Sequence, residues 1–172
     1  LPGVLDLTDH DARAQMTRAW KEDLPVATGA TLIEMIGLAQ TGIIKGLFIV
    51  GENPVGSLPP QTGVKEALSK LDLLVCQELF LTETAALAHV VLPAASAMEK
   101  AGTFTNTEGH VQAVRPAIDP VGDSRPDWEI LSAFSVFLGA PLEYGDAKEI
   151  LKEIRAVIPG YGSLGPSPIP PA

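Results

Sequence analysis

The chain has one cysteine, Cys76, in 172 residues. A single thiol excludes an internal disulfide and any CxxC pair of the kind that holds zinc or an iron–sulfur cluster, and it fits a reducing compartment. Basic residues are scarce as well: 12 Lys and Arg stand against 21 Asp and Glu, for a formal charge of −9, and they are scattered. That balance gives no broad grip on a phosphate backbone, so nucleic acid is not an expected partner. No apolar run reaches the ~20 residues needed to cross a bilayer, and direct membrane insertion is not expected. Leu1 stands where an initiator Met or a charged-then-apolar leader would begin, which predicts a piece of a longer polypeptide.

What is present is apolar material with clear periodicity. Hydrophobic residues make up 46% of the chain, enough for one sizeable core. Leu32, Met35, Ile36 and Ala39 recur at helical spacing after a Thr31/Glu34 capping box, and Gly42 is a stop. Leu47 to Val50 is a short apolar run of strand formers, expected to be buried on both faces. The same outline repeats: helix (Val64, Ala67, Leu68, Leu71), strand (Leu73 to Cys76), short helix (Thr82 to Ala88), strand (His89 to Leu92). Strands apolar on both faces and alternating with helices predict an α/β fold, a mostly parallel, Rossmann-like sheet with helices on both faces.

Later segments add two helices and a tail. Pro126 opens a helix carrying Ile130, Phe134, Phe137 and Leu138 and closed by Gly139. Asp146 and Glu149 begin another with Ile150, Leu151, Ile154 and Val157, ended by Pro159 and Gly160. The resulting organisation is an N-terminal strap over 1–28, with periodicity only from Arg13 to Trp20, an α/β domain over 29–158, and a Pro- and Gly-rich tail over 159–172.

Polar chemistry concentrates between Ser96 and Gln112, with Glu99, Thr103, Thr105, Asn106, Thr107 and Glu108 in one stretch. In an open parallel sheet the loops after the strands share the carboxyl edge, where such folds bind ligands. Three loops are expected to converge there: Gly51-Glu-Asn-Pro54, Gln77-Glu78, and Pro93 to Ser96 leading to Glu99. Gly51 allows close backbone approach, carboxylates suit ribose hydroxyls or the N–H edge of a purine, and Thr82 and Thr84 stand near an anion-tolerant helix start. Plainer readings exist for each residue. Gly-Glu-Asn-Pro is also a simple turn, His89 a structural histidine, Thr103 to Val114 a hairpin closed through Thr107-Glu-Gly109, and Cys76 inert core. No acid, base or nucleophile set and no metal-ligand set is legible, so neither catalytic nor metal residues are expected.

The order of these motifs resembles the molybdopterin oxidoreductase family. Gly51-Glu-Asn-Pro, Gln77-Glu-Leu-Phe-Leu-Thr-Glu-Thr-Ala, Val90-Val-Leu-Pro, Glu99 with Gly102-Thr-Phe-Thr-Asn, Glu108-Gly-His-Val-Gln and Asp127-Trp-Glu-Ile carry the likeness, over roughly Gly29 to Gly139. Within the family it runs first to the large iron–sulfur G subunit of bacterial NADH:quinone oxidoreductases, a branch of electron transport, and next to formate dehydrogenase catalytic subunits. The resemblance implies a third, α/β domain that helps hold the guanine dinucleotide end of a molybdopterin cofactor. It places the iron–sulfur clusters and the molybdenum ligand on segments outside this chain. Cofactor contacts are implied at Gly51, Glu52, Asn53, Gln77 and Glu78, and at position 89, where an acidic residue is usual and this chain has His89. An imidazole cannot accept paired hydrogen bonds from guanine as a carboxylate does, and His110 stands where Arg is usual. The two departures favour a scaffold domain with a vestigial nucleotide edge. Its expected partners are other domains of the same polypeptide and respiratory-complex subunits, its expected location the cytoplasm on the cytoplasmic side of a membrane-bound complex, and the isolated chain is expected to lack turnover.

Overall fold

The structure is a computed structural model that describes residues 6–158, 161 and 167–168. In chain order it contains helices α1 (His10–Trp20) and α2 (Leu32–Gln40), strand β1 (Gly46–Val50), the single turn α3 (Pro54–Ser57) and helix α4 (Val64–Ser69). Strands β2 (Leu73–Glu78), β3 (Val90–Pro93), β4 (Gly102–Thr105) and β5 (Val111–Val114) follow, then helices α5 (Asp127–Phe137) and α6 (Ala147–Val157) and the two-residue strand β6 (Ser167–Pro168). The chain divides into two compact units. One comprises Ala30–Lys100 and Pro116–Leu142, the other Leu1–Gly29, Ala101–Arg115 and Glu143–Ala172.

The first unit is built on a parallel sheet of order β1-β2-β3. Alternation sorts its side chains onto two faces. Leu74 and Cys76 join Ile36 and Ala39 of α2 and Val64, Ala67 and Leu68 of α4 in one core, with Leu47 and Ile49 packed against it. On the other face Phe48 meets Phe134 of α5, ring centroids 5.3 Å apart. Helices therefore cover both faces, as the alternation of apolar segments predicts. The capping box forms as written in the sequence: Thr31 Oγ1 accepts from the Glu34 N–H, and the Thr31 N–H donates to Glu34 Oε2.

Two expectations for this unit change. Only the central strand β2 is buried along most of its length, from Leu74 to Gln77; β1 is half-buried and β3 mostly exposed, because each lies at an edge of the three-stranded order. The helix expected over Thr82 to Ala88 shrinks to a 3-10 turn at Ala85–Leu87. There the Leu87 N–H donates to the Thr84 carbonyl and the Ala88 N–H to the Ala85 carbonyl, the tighter i+3 pattern, and Thr82 Oγ1 accepts from the Ala85 N–H at its start.

The second unit joins α1 and α6 to the β4–β5 hairpin. The hairpin pairs antiparallel from Gly102↔Val114 to Thr105↔Val111, and Gly109, at φ +83°, lies in its turn. Asp9 caps α1 and Asp146 caps α6 with their carboxylates. Glu153 of α6 accepts from Trp20 Nε1 at 3.1 Å and from the Tyr144 hydroxyl at 2.6 Å. That bond to a carboxylate, with burial, pushes the Tyr144 phenol up to about 12. The strap expected over 1–28 contains the regular helix α1, and Leu1 to Leu5 lie outside the described residues. Most of the expected tail also lies outside them, but Ser167–Pro168 pair in parallel with β5. No helix among the described residues is long and apolar enough to cross a membrane.

Candidate functional site at the carboxyl edge of the parallel sheet

β1 and β2 run in register, so the residues that follow them arrive together. The Gly51 N–H donates to the Gln77 carbonyl at 2.9 Å, which brings Gly51 and Glu52 beside Gln77 and Glu78. Gly51 has φ +63°, and a Cβ built there would meet nothing within 4 Å. The backbone is thus bare as well as left-handed, a position glycine fills at no steric cost. Glu52 is exposed and makes no side-chain hydrogen bond with a described residue. Glu78 uses one oxygen on the Leu79 N–H, at 2.7 Å, and its other oxygen has no hydrogen bond to a described residue. Beyond Glu78 an open cleft of about 460 Å³ lies among Leu79, Phe80, Pro93, Ser96, Glu99 and Val121; Gly51, Glu52, Gln77 and Glu78 do not line it. Ligand sites of this kind run from ~300 to ~1,000 Å³.

Other expected site residues turn inward. Asn53 Oδ1 accepts from Thr84 Oγ1 at 2.7 Å, from the Thr84 N–H at 3.2 Å and from the Gly56 N–H at 3.4 Å, while Asn53 Nδ2 donates to Glu83 at 2.8 Å. Its side chain ties the loop after β1 to the loop after β2. Gln77 is 1% exposed and faces α5, where its Nε2 donates to Asp127 Oδ1 at 2.8 Å; its Oε1 has no partner among the described residues. Lys100 Nζ pairs with the second oxygen of Asp127. Burial raises the Asp127 carboxyl, but the bonds from Lys100 and Gln77 outweigh it and leave the group below the ordinary carboxylate range. Glu99 accepts from the Ser96 N–H at 2.6 Å and the Val121 N–H at 3.0 Å, chiefly the first of which lowers its pKa. It holds the loop after β3 to the segment that leads into α5.

His89 stands elsewhere. It precedes β3, and it meets the start of β2: its N–H donates to the Leu74 carbonyl and its Nδ1 accepts from the Leu74 N–H, both at 2.8 Å. Leu74 and Glu78 are four residues apart, roughly 13 Å at the rise of a parallel strand. The structure therefore brings Gly51, Glu52, Gln77 and Glu78 together and leaves His89 at the amino end. His110 is an exposed hairpin residue of the other unit. The polar stretch from Ser96 to Gln112 is likewise divided, Ser96 to Lys100 in one unit and Gly102 to Gln112 in the other. Reasoning from sequence placed Thr84 only near an anion-tolerant helix start, not against Asn53, and it missed Lys100 and the role of Asp127. Their partners lie 31, 27 and 50 residues away, and no local pattern marks such pairs.

An open parallel sheet flanked by helices, with Glu52, Glu78 and a bare glycine at its carboxyl edge, defines an α/β domain. Among the described residues no group of three or more His, Cys, Asp or Glu side chains is placed to hold a metal ion. The comparisons with known proteins specify the class. The model of the molybdopterin oxidoreductase family matches residues 7–136, and the chain belongs to that family. It is 48% identical to the F420-dependent formate dehydrogenase subunit alpha of Methanocaldococcus jannaschii, over 84% of this chain and 22% of that one. It is 37% identical to the G 2 subunit of the NADH-quinone oxidoreductase of Rhizobium meliloti, over 95% of this chain and 19% of that one. Acetylene hydratase from Pelobacter acetylenicus shares the fold, with a TM-score of 0.63 at 22% identity, covering 83% of this chain and 21% of that one. The chain thus spans about a fifth of the length of these relatives.

Proposed function

We propose that this chain is the domain that holds the guanosine end of a molybdopterin guanine dinucleotide in a formate-dehydrogenase-like subunit, and that Gly51, Glu52 and Glu78 make the direct contacts. The observation that carries the reading is the pair of carboxylates left available at one edge beside a glycine with no side chain to block approach. Their chemistry fits one part of that group. A carboxylate accepts from the N1–H and amino group of guanine or from ribose hydroxyls, whereas an uncompensated pyrophosphate would meet repulsion at the same place. When bound, the cofactor supplies the redox chemistry; the residues of this chain bind and orient it. Asn53 and Gln77 act from behind, through the loops and the strand end they hold.

The placement of His89 supports this reading over a vestigial edge. Its ring serves the first residues of β2, so the exchange of an acidic residue for imidazole takes nothing from the carboxyl edge. The 48% identity to a formate dehydrogenase alpha subunit points the same way. The second reading, a scaffold domain of a respiratory NADH:quinone oxidoreductase, has in its favour the 95% of the chain matched by a G subunit of such an enzyme. The two separate on the full-length protein: acid release should yield guanosine nucleotide and molybdenum in near-stoichiometric amounts under the first reading. A folded, full-length protein that releases neither would establish the scaffold.

A further inference from the structure

Thr84 is 0% exposed, yet its hydroxyl is used both as donor and as acceptor. Its hydroxyl donates to Asn53 Oδ1 at 2.7 Å and accepts from the Val55 N–H at 3.0 Å, and its own N–H donates to the same Oδ1. Asn53 Oδ1 also receives the Gly56 N–H, and Asn53 Nδ2 holds Glu83. Two loops separated by some thirty residues are thereby closed over one another directly behind Gly51 and Glu52. Gly56 belongs to the same device, because a Cβ there would lie 2.5 Å from Asn53 Nδ2. The small residue is required by the seated amide, and its backbone φ is not left-handed.

We infer that Asn53 and Thr84 form a latch that positions Gly51 and Glu52 for the nucleotide without touching it. The inference rests on the cofactor-holding reading above and names the residues that set the geometry of that site. The bonds between Thr84 and Asn53 are at least part-buried. Thr84 is sealed from solvent, and every atom of the Asn53 amide except one N–H is occupied by the facing loop. A bound ligand reads the latch only through the loop it fixes, and misplacement of a contacting group by about 1 Å is enough to lose most of its contribution.

The test uses the full-length protein stripped of cofactor, guanosine diphosphate as the titrant, and amide hydrogen exchange across 51–57 as a second readout. Thr84→Val keeps the shape and removes the hydroxyl; it should weaken binding about tenfold or more and speed exchange at Val55, while Thr84→Ser should restore both. Gly56→Ala tests the same latch from the surface should Thr84→Val fail to fold, and it too should weaken binding and speed exchange. Undiminished affinity in a folded Thr84→Val or in Gly56→Ala, with exchange raised, overturns the inference. So does a loss confined to Asn53→Ala, which would mean that Asn53 itself touches the nucleotide. A folded wild-type protein that takes up no guanosine diphosphate would instead sink the cofactor-holding reading on which the latch depends.

Discussion

The two ends of the parallel sheet carry ionisable side chains in opposite states. At the carboxyl end neither the Glu52 side chain nor the second oxygen of Glu78 is bonded to a described residue. At the amino end His89 has both its backbone N–H and Nδ1 engaged by a single residue, Leu74. With Nδ1 accepting, the ring is the tautomer protonated on Nε2. One end leaves carboxylate oxygens without a partner among the described residues, and at the other His89 ties the approach to β3 onto the start of β2. The difference teaches that a residue's neighbours in sequence do not say which end of a sheet it serves: His89 is one position from a strand whose far end lines the cleft.

The largest effect should come from removing charge at the carboxyl end. Glu52→Gln with Glu78→Gln should weaken guanosine nucleotide binding by on the order of 3 kcal/mol, the worth of one or two hydrogen bonds to charged groups, with the melting temperature little changed. Calorimetric titration beside thermal melts checks it, and an unchanged affinity would remove the contrast between the two ends. His89→Ala should do the reverse. It strands the part-buried Leu74 N–H, so stability should fall by about 1–2 kcal/mol in denaturant titrations while nucleotide affinity stays at the wild-type value. His89→Asp, which keeps an acceptor in place, should recover part of that stability and also leave affinity alone; any gain in affinity would move position 89 to the ligand.

The smallest effect concerns pH. The folded-state pKa of Glu99 is lowered, first by the Ser96 N–H, and that of Asp127 is lowered where Lys100 and Gln77 overcome burial. A depressed carboxyl stabilises the fold above its unfolded pKa, about 4, and that contribution is lost as pH falls through the lower folded value. Melting temperature should therefore drop as pH is lowered from about 5 towards 2. Glu99→Gln should be less stable at neutral pH and lose less on acidification. An acid limb identical to wild type would deny Glu99 its part in holding the loop beside the cleft.

Much of the fold was legible before the structure. The capping box of α2, the three parallel strands, the hairpin closed through Gly109 and the helix after Pro126 all follow from patterns a few residues long. The site was legible only in outline. Gly51, Glu52, Gln77 and Glu78 do share an edge, but the inward turn of Asn53 and Gln77 depends on Thr84 and Asp127, far away in the chain. One signal was available and unused: in a parallel sheet, a residue that precedes a strand lies at the amino end, which alone separates His89 from the others.

The sequence by itself determined the family, the α/β alternation and the helix ends, because periodicity, caps and turn residues act through the next three or four positions along the chain. Tertiary structure alone decided which carboxylates remain available, which amides lock loops together, and that the polar stretch from Ser96 to Gln112 is shared by two units. Those outcomes depend on pairings 27 to 50 residues apart. Such pairs depend on the register of strands far apart in the chain, and a local pattern carries no record of them.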